Sequence, residues 1–108
     1  MSVSDQIMKG LLDGAILGLI SQEETYGYEI TKKLEGHDFP DISEGSIYPV
    51  LLRLSKKGYV NTRMVKSDSG GPKRKYYSIS ETGKEELKVF KRKWGKLNSG
   101  MNNLIRGD

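Results

Sequence analysis

Apolar positions along the chain recur at helical spacing in four stretches and alternate in the region between the third and fourth. In residues 43–58, Ile47, Val50, Leu51 and Leu54 fall on one stripe of a helix. Ser43 has the residue type of an N-cap, and Gly58 stands where a helix stops. The opposite face carries Ser46, Tyr48, Pro49, Arg53 and Lys56, a polar, partly basic surface with an aromatic near its leading end. Pro49 leaves two readings open: a helix starting at Ser43 is bent by it, whereas a helix capped by Ser46 holds it in the first turn at little cost.

Residues 3–21 read as a first helix with two apolar faces. Leu12, Ala15, Ile16 and Leu19 mark a core face; Ile7, Gly10, Leu11, Gly14 and Gly18 form a second, with glycines at successive intervals of four. Each interior glycine costs roughly 1 kcal/mol of helix propensity, so close approach of another helix or a ligand-filled void is expected there. Thr25 reads as the N-cap of a second helix ending at Gly36, with Tyr26, Ile30 and Leu34 as its buried stripe and Lys32 and Lys33 solvated. Phe39 and Ile42 anchor the connection into the helix at 43–58.

Residues 59–66 alternate Val60, Thr62 and Met64 against Asn61, Arg63 and Val65; residues 67–72 are turn-forming, and 73–79 return as a second strand. Lys66, Lys73, Arg74 and Lys75 converge near the tip of this hairpin. Ser80 caps a last helix in which Leu87, Phe90, Trp94, Leu97, Met101 and Leu104 form an a/d seam. No further element of the domain remains to cover that seam. A second copy of the chain is expected to do so, the seam meeting the glycine face of its first helix.

The predicted fold is mainly α with a β-hairpin wing: a winged helix-turn-helix over residues 1–80, its first helix shared with the dimer interface, plus a C-terminal dimerisation helix over 81–108, in one compact unit. Composition adds modest constraints. A formal net charge of +4 favours anionic partners. With no cysteine and one histidine, His37, a thiolate metal site and a conventional triad are excluded. Neither an enzyme nor a cofactor is expected. The most apolar run, residues 11–20, is broken by Asp13 and is shorter than the roughly 20 residues that span a bilayer, so a soluble, unprocessed, cytoplasmic chain is expected. Two partner classes suit the order of elements: duplex DNA, with the helix at 43–58 in the major groove and wing cations on phosphates, or protein or RNA contact by the same module.

Tyr26-Gly27-Tyr28-Glu29-Ile30, Glu44-Gly45-Ser46-Ile47-Tyr48-Pro49-Val50-Leu51, Lys57-Gly58 and the run from Arg74-Lys75-Tyr76-Tyr77 to Ser80-Glu81-Thr82-Gly83 together resemble the signature of PadR-family bacterial transcriptional regulators. The short C-terminal part resembles the small subfamily that includes multidrug-sensing repressors. The resemblance implies a homodimeric repressor bound to an inverted-repeat operator on double-stranded DNA and released by an effector. It carries DNA contact to Ser46, Tyr48, Pro49, Lys73, Arg74 and Lys75, with Tyr26 and Tyr28 as supports or contacts, and Arg53 joins them from the basic face of its helix. It also places a cavity for a small planar aromatic effector near the dimer centre, lined by Ile7, Leu11, Gly14, Phe90, Trp94, Leu97 and Met101. Lys91, Arg92 and Lys93 beside Trp94 suit an anionic aromatic better than a cationic drug.

Overall fold

The computed structural model describes residues 3–39, 42–68 and 70–106, with side chains described from residue 11 onward. Seven elements follow in order: α1 (Val3–Gln22), β1 (Thr25–Tyr26), α2 (Gly27–Gly36), α3 (Glu44–Lys56), β2 (Val60–Val65), β3 (Arg74–Ile79) and α4 (Glu81–Arg106). α1 packs against α2, α3, α4 and β3. A helix surrounded in this way buries more than one stripe. Leu17 and Ile20, outside the predicted core face, are therefore buried with Ile16 and Leu19, while Leu12 and Ala15 are only partly covered.

Both ends of α3 are fixed by local chemistry. The Ser43 hydroxyl accepts from the Ser46 N–H at 3.2 Å and the Ser46 hydroxyl accepts from the Ser43 N–H at 2.9 Å, a reciprocal cap. Ser43 is thus the N-cap, and Pro49 lies inside the helix rather than in its first turn. Pro49 brings no N–H to bond the Gly45 carbonyl at the i−4 position, so that one helical bond is missing there. At the other end Gly58 takes φ +77°, with Gly58 N–H donating to Ser55 and Tyr59 N–H to Leu54 in a Schellman arrangement. Between the caps Ile47, Val50, Leu51 and Leu54 are all buried, as their spacing predicts.

Two expectations about α2 change. Thr25 is not its N-cap but a strand residue, paired with Tyr77 in a three-stranded antiparallel sheet of order β1-β3-β2. Tyr26 takes the cap position without a side-chain cap bond and is only half-buried. The helix ends at Gly36, as expected, with His37 as its C-cap, and Asp38, at φ 66°, supplies the left-handed residue after it. In the hairpin, β2 pairs with β3 from Val60↔Ile79 to Val65↔Arg74. Only Val60 of β2 is buried, because the hairpin projects beyond the core and neither of its faces is covered along its length.

The start of α4 is locked to the end of α3. Ser80 Oγ donates to the Gly58 carbonyl at 2.6 Å and accepts from the Gly83 N–H at 3.0 Å, and Ser80 N–H donates to the Tyr59 carbonyl. Gly83 lies directly on that Tyr59 carbonyl, where a Cβ would overlap it and press on Ile79. One turn further, Leu87 is buried, and Phe90 covers Gly14 of α1. Part of the a/d seam thus finds a partner within its own chain, contrary to expectation. From residue 91 onward every described residue of α4 is exposed.

A Cβ at Gly83 meets backbone, which cannot move aside, whereas one at Gly14 meets only the half-exposed Phe90 ring, which can turn away. Gly83→Ala is therefore expected to lower unfolding free energy by about 1–3 kcal/mol and Gly14→Ala by less. Urea denaturation checks the order through the midpoints, with the slope unchanged.

Candidate nucleic-acid interface

α3, the start of α2 and β3 surround one open hollow of about 590 Å³, with Ile47 and Leu51 among its lining and Tyr26, Tyr28, Tyr48, Arg74 and Lys75 around it. The buried stripe of α3 determines this, since fixing Ile47 and Leu51 inward turns Tyr48 outward. Tyr48 is 56% exposed and Tyr28 is 53% exposed. Leu52, one turn beyond Tyr48 on the same side of the helix, is also exposed; the sequence reading had not singled it out.

The aromatics hold the cations in place. The Arg74 guanidinium sits 4.7 Å from the Tyr26 ring centroid, and that ring lies 5.1 Å from Tyr76 in a tilted pair. Tyr26↔Tyr76 is a strand pair, so β1 and the wing strand β3 share an outward face while their inward partners, Thr25 and Tyr77, are buried. Lys32 lies 5.5 Å from the Tyr28 ring. These contacts restrict flexible side chains before any ligand arrives, which reduces the ordering cost of binding. Burial pushes the Tyr77 phenol above its ordinary value.

The residues expected at the interface occupy three settings. Tyr26, Tyr28, Tyr48, Arg74 and Lys75 share the hollow, and Lys73 is exposed beside them just before β3. Ser46 and Pro49 are exposed on the first turns of α3, but the Ser46 hydroxyl is committed to the cap, donating to the Ser43 carbonyl at 2.8 Å. Arg53 faces α1 and makes a two-pronged contact with Asp13. A second pair of that kind joins β2 to the segment before β1: Arg63 donates to Glu24 through Nε at 2.7 Å and Nη2 at 2.6 Å. Of the expected effector cavity, the Ile7 side chain lies outside the described residues, Leu11 is partly covered and Gly14 is buried beneath Phe90. Trp94, Leu97 and Met101 are exposed further along α4, Trp94 by 43%. Among the described residues no acidic or histidine cluster could hold a metal, and no helix is long and apolar enough to cross a membrane.

A concave surface of exposed tyrosines and pre-positioned cations suits a polyanion with stacked or edge-exposed bases. Comparison with known proteins agrees with that chemistry. The model of the transcriptional regulator PadR-like family matches residues 16–89. The fold is similar to the crystal structure of a PadR-like transcriptional regulator from Bacillus cereus strain ATCC 14579, with TM-score 0.86, 50% identity, and 95% of this chain and 99% of that one covered. A Streptococcus transcriptional regulator superposes with TM-score 0.81 at 37% identity, over 92% of this chain and 96% of that one. In sequence the chain is 35% identical over 79 residues to the negative transcriptional regulator PadR of Bacillus subtilis (strain 168), an alignment covering 71% of this chain and 43% of that longer protein.

The Arg63 contact holds the Glu24 carboxyl below its ordinary value, chiefly through the hydrogen bond, which outweighs the opposing effect of burial and is aided by the charge of the guanidinium. A carboxyl lowered by folding contributes stability above its unfolded value and loses it as pH falls through the folded one. Glu24→Gln is accordingly expected to destabilise at neutral pH and to match the wild type once pH falls below the usual carboxylate range. Denaturation midpoints measured across a pH series check this.

Proposed function

The chain belongs to the PadR-like family of transcriptional regulators, DNA-binding proteins rather than enzymes, and from that premise we propose that it acts as a homodimeric repressor reading an inverted-repeat operator. The observation that carries the reading is the grouping of exposed Tyr48 with Arg74 and Lys75 around one hollow. Tyr48 and Pro49 present the leading end of α3 to base edges in the major groove, with Ser46 securing that first turn. Lys73, Arg74 and Lys75 contact flanking phosphates and fix register, while Tyr26 of β1 and Tyr28 of α2 support them. Residues 1–80 thus form the reading unit and 81–108 the dimerisation helix.

Dimerisation is supported by the far half of α4. Trp94, Leu97, Met101, Leu104 and Ile105 are all exposed there, Leu104 by 78%, on a stretch about 18 Å long. A second copy covering this face places two reading heads on successive major grooves, with half-sites roughly 34–36 Å apart. The Bacillus subtilis relative is a negative transcriptional regulator, and the 79 residues aligned with it support repression here. Relief comes from a small planar aromatic molecule stacking on Trp94, with Lys91, Arg92 and Lys93 favouring an anionic one. Such a ligand acts only by preferring a dimer with a different separation of the reading heads.

Fluorescence anisotropy of a duplex from the gene's own upstream region against a shuffled duplex tests the reading. The native duplex is expected to be preferred by on the order of 10³ or more. Lys73→Ala with Arg74→Ala should weaken binding to both and, with both copies of the dimer losing two cations, reduce the slope of log K against log salt by about 3.6. Tyr48→Ala should relax the preference and leave the slope. Equal binding of both duplexes by the wild type, or a wing variant that alters preference alone, would contradict the assignment. Trp94 is the single tryptophan, so its fluorescence reports candidate effectors directly; an effector response surviving Trp94→Ala would remove it from that role.

A further inference from the structure

Resting on the reading of α3 as the DNA-facing helix, we propose that Arg53 is a positioning residue rather than a DNA contact, and that with Asp13 it forms a brace setting the pitch of α3 on α1. Arg53 Nη2 donates to Asp13 Oδ1 at 2.7 Å and Nε to Oδ2 at 3.3 Å. This is a fork-to-carboxylate geometry, which constrains direction as well as distance. The pair joins residues 40 positions apart in sequence, on two helices whose apolar stripes already meet. Buried aliphatic contacts fix which face of α3 points inward but resist rocking of the helix axis against α1 weakly. A two-pronged contact at the edge of that stripe opposes such rocking.

Arg53 also lies in the wrong place to accompany Tyr48. Five residues separate them, which turns their side chains about 140° apart around the axis. Tyr48 faces the hollow with the wing, whereas Arg53 faces α1. A phosphate approaching Arg53 would meet the Asp13 carboxylate as well, so the charge available to attract it is largely cancelled. The same end of α3 is held from α4: Asp13, Leu54, Tyr59, Glu86 and Phe90 line one small cleft, and the Tyr59 hydroxyl lies 3.4 Å from Glu86. The brace is thus one side of the joint through which α1 and α4 hold the reading helix.

Asp13→Ala, Arg53→Ala, the double variant and the exchange pair Asp13→Arg with Arg53→Asp test this by anisotropy on the native and shuffled duplexes over a salt series. Each single variant is expected to lose about 2- to 5-fold in affinity for the native duplex, with an unchanged salt slope. The double should lose no more than either single, and the exchange pair should recover most of the preference. A direct DNA contact gives the opposite pattern. Arg53→Ala, removing one cation from each copy of the dimer, would then lower the salt slope by about 1.8, while Asp13→Ala would leave or raise affinity by freeing the guanidinium. That result, or additive losses without rescue, overturns the brace. Lack of duplex preference in the wild type counts instead against the regulator reading itself, so the two failures are separable.

Discussion

Burial of Ile47, Val50, Leu51 and Leu54 fixes the rotation of α3, and nearly every functional feature depends on that choice of face. With these four inward, Tyr48 and Leu52 face outward beside the wing, and Ser46, Pro49 and Arg53 occupy the rest of the exposed arc. The capping box at Ser43 and the left-handed Gly58 then fix where the helix begins and ends. Pro49 is accommodated within a helix defined at both ends and packed along its length.

From that fixed helix, order is transmitted in two directions. Towards the wing, the reversal at Gly58 leads into β2, and pairing with β3 brings Arg74 onto the Tyr26 ring, tying cations of the hairpin to the start of α2. Glu24 and Arg63 join β2 to the same segment from the other side. Towards the C-terminus, Ser80 bonds the carbonyl of Gly58, and Gly83 sits on that of Tyr59, so α4 departs from the point where α3 ends. The helix proposed to sense and dimerise is therefore built onto the base of the helix proposed to read. A small change in the direction of α4 has a short mechanical route to α3.

What the sequence made legible was local. The stripe of α3, its Gly58 end, the hairpin and the Ser80 cap all depend on residues within a few positions of one another, where spacing and residue type carry the signal, whereas the choice between Ser43 and Ser46 as the start of α3 stayed open. What it hid was long-range. The two residues of β1 are too short a strand to show a period, and their strand character comes from pairing with β3. The pairs Asp13–Arg53 and Glu24–Arg63 bridge 40 and 39 positions, and nothing local distinguishes a paired arginine from a solvated one. Phe90 covering Gly14 is of the same kind: the seam and the glycines were both visible, but whether they meet within one chain or across two is a tertiary fact. Among the interface candidates, Tyr48, Arg74 and Lys75 were legible as exposed chemistry, whereas the commitments of Ser46 and Arg53 to structural bonds were not.

Hydroxyl-radical footprinting of the protein on its own upstream DNA tests the central claim most directly, because it reports both the reading heads and their spacing. Two protected segments about one helical turn apart, on one face of the duplex and related by approximate two-fold symmetry, are the predicted result. A single short protected segment, or uniform weak protection that follows no sequence, would contradict a dimer that reads an inverted repeat through α3 and the wing.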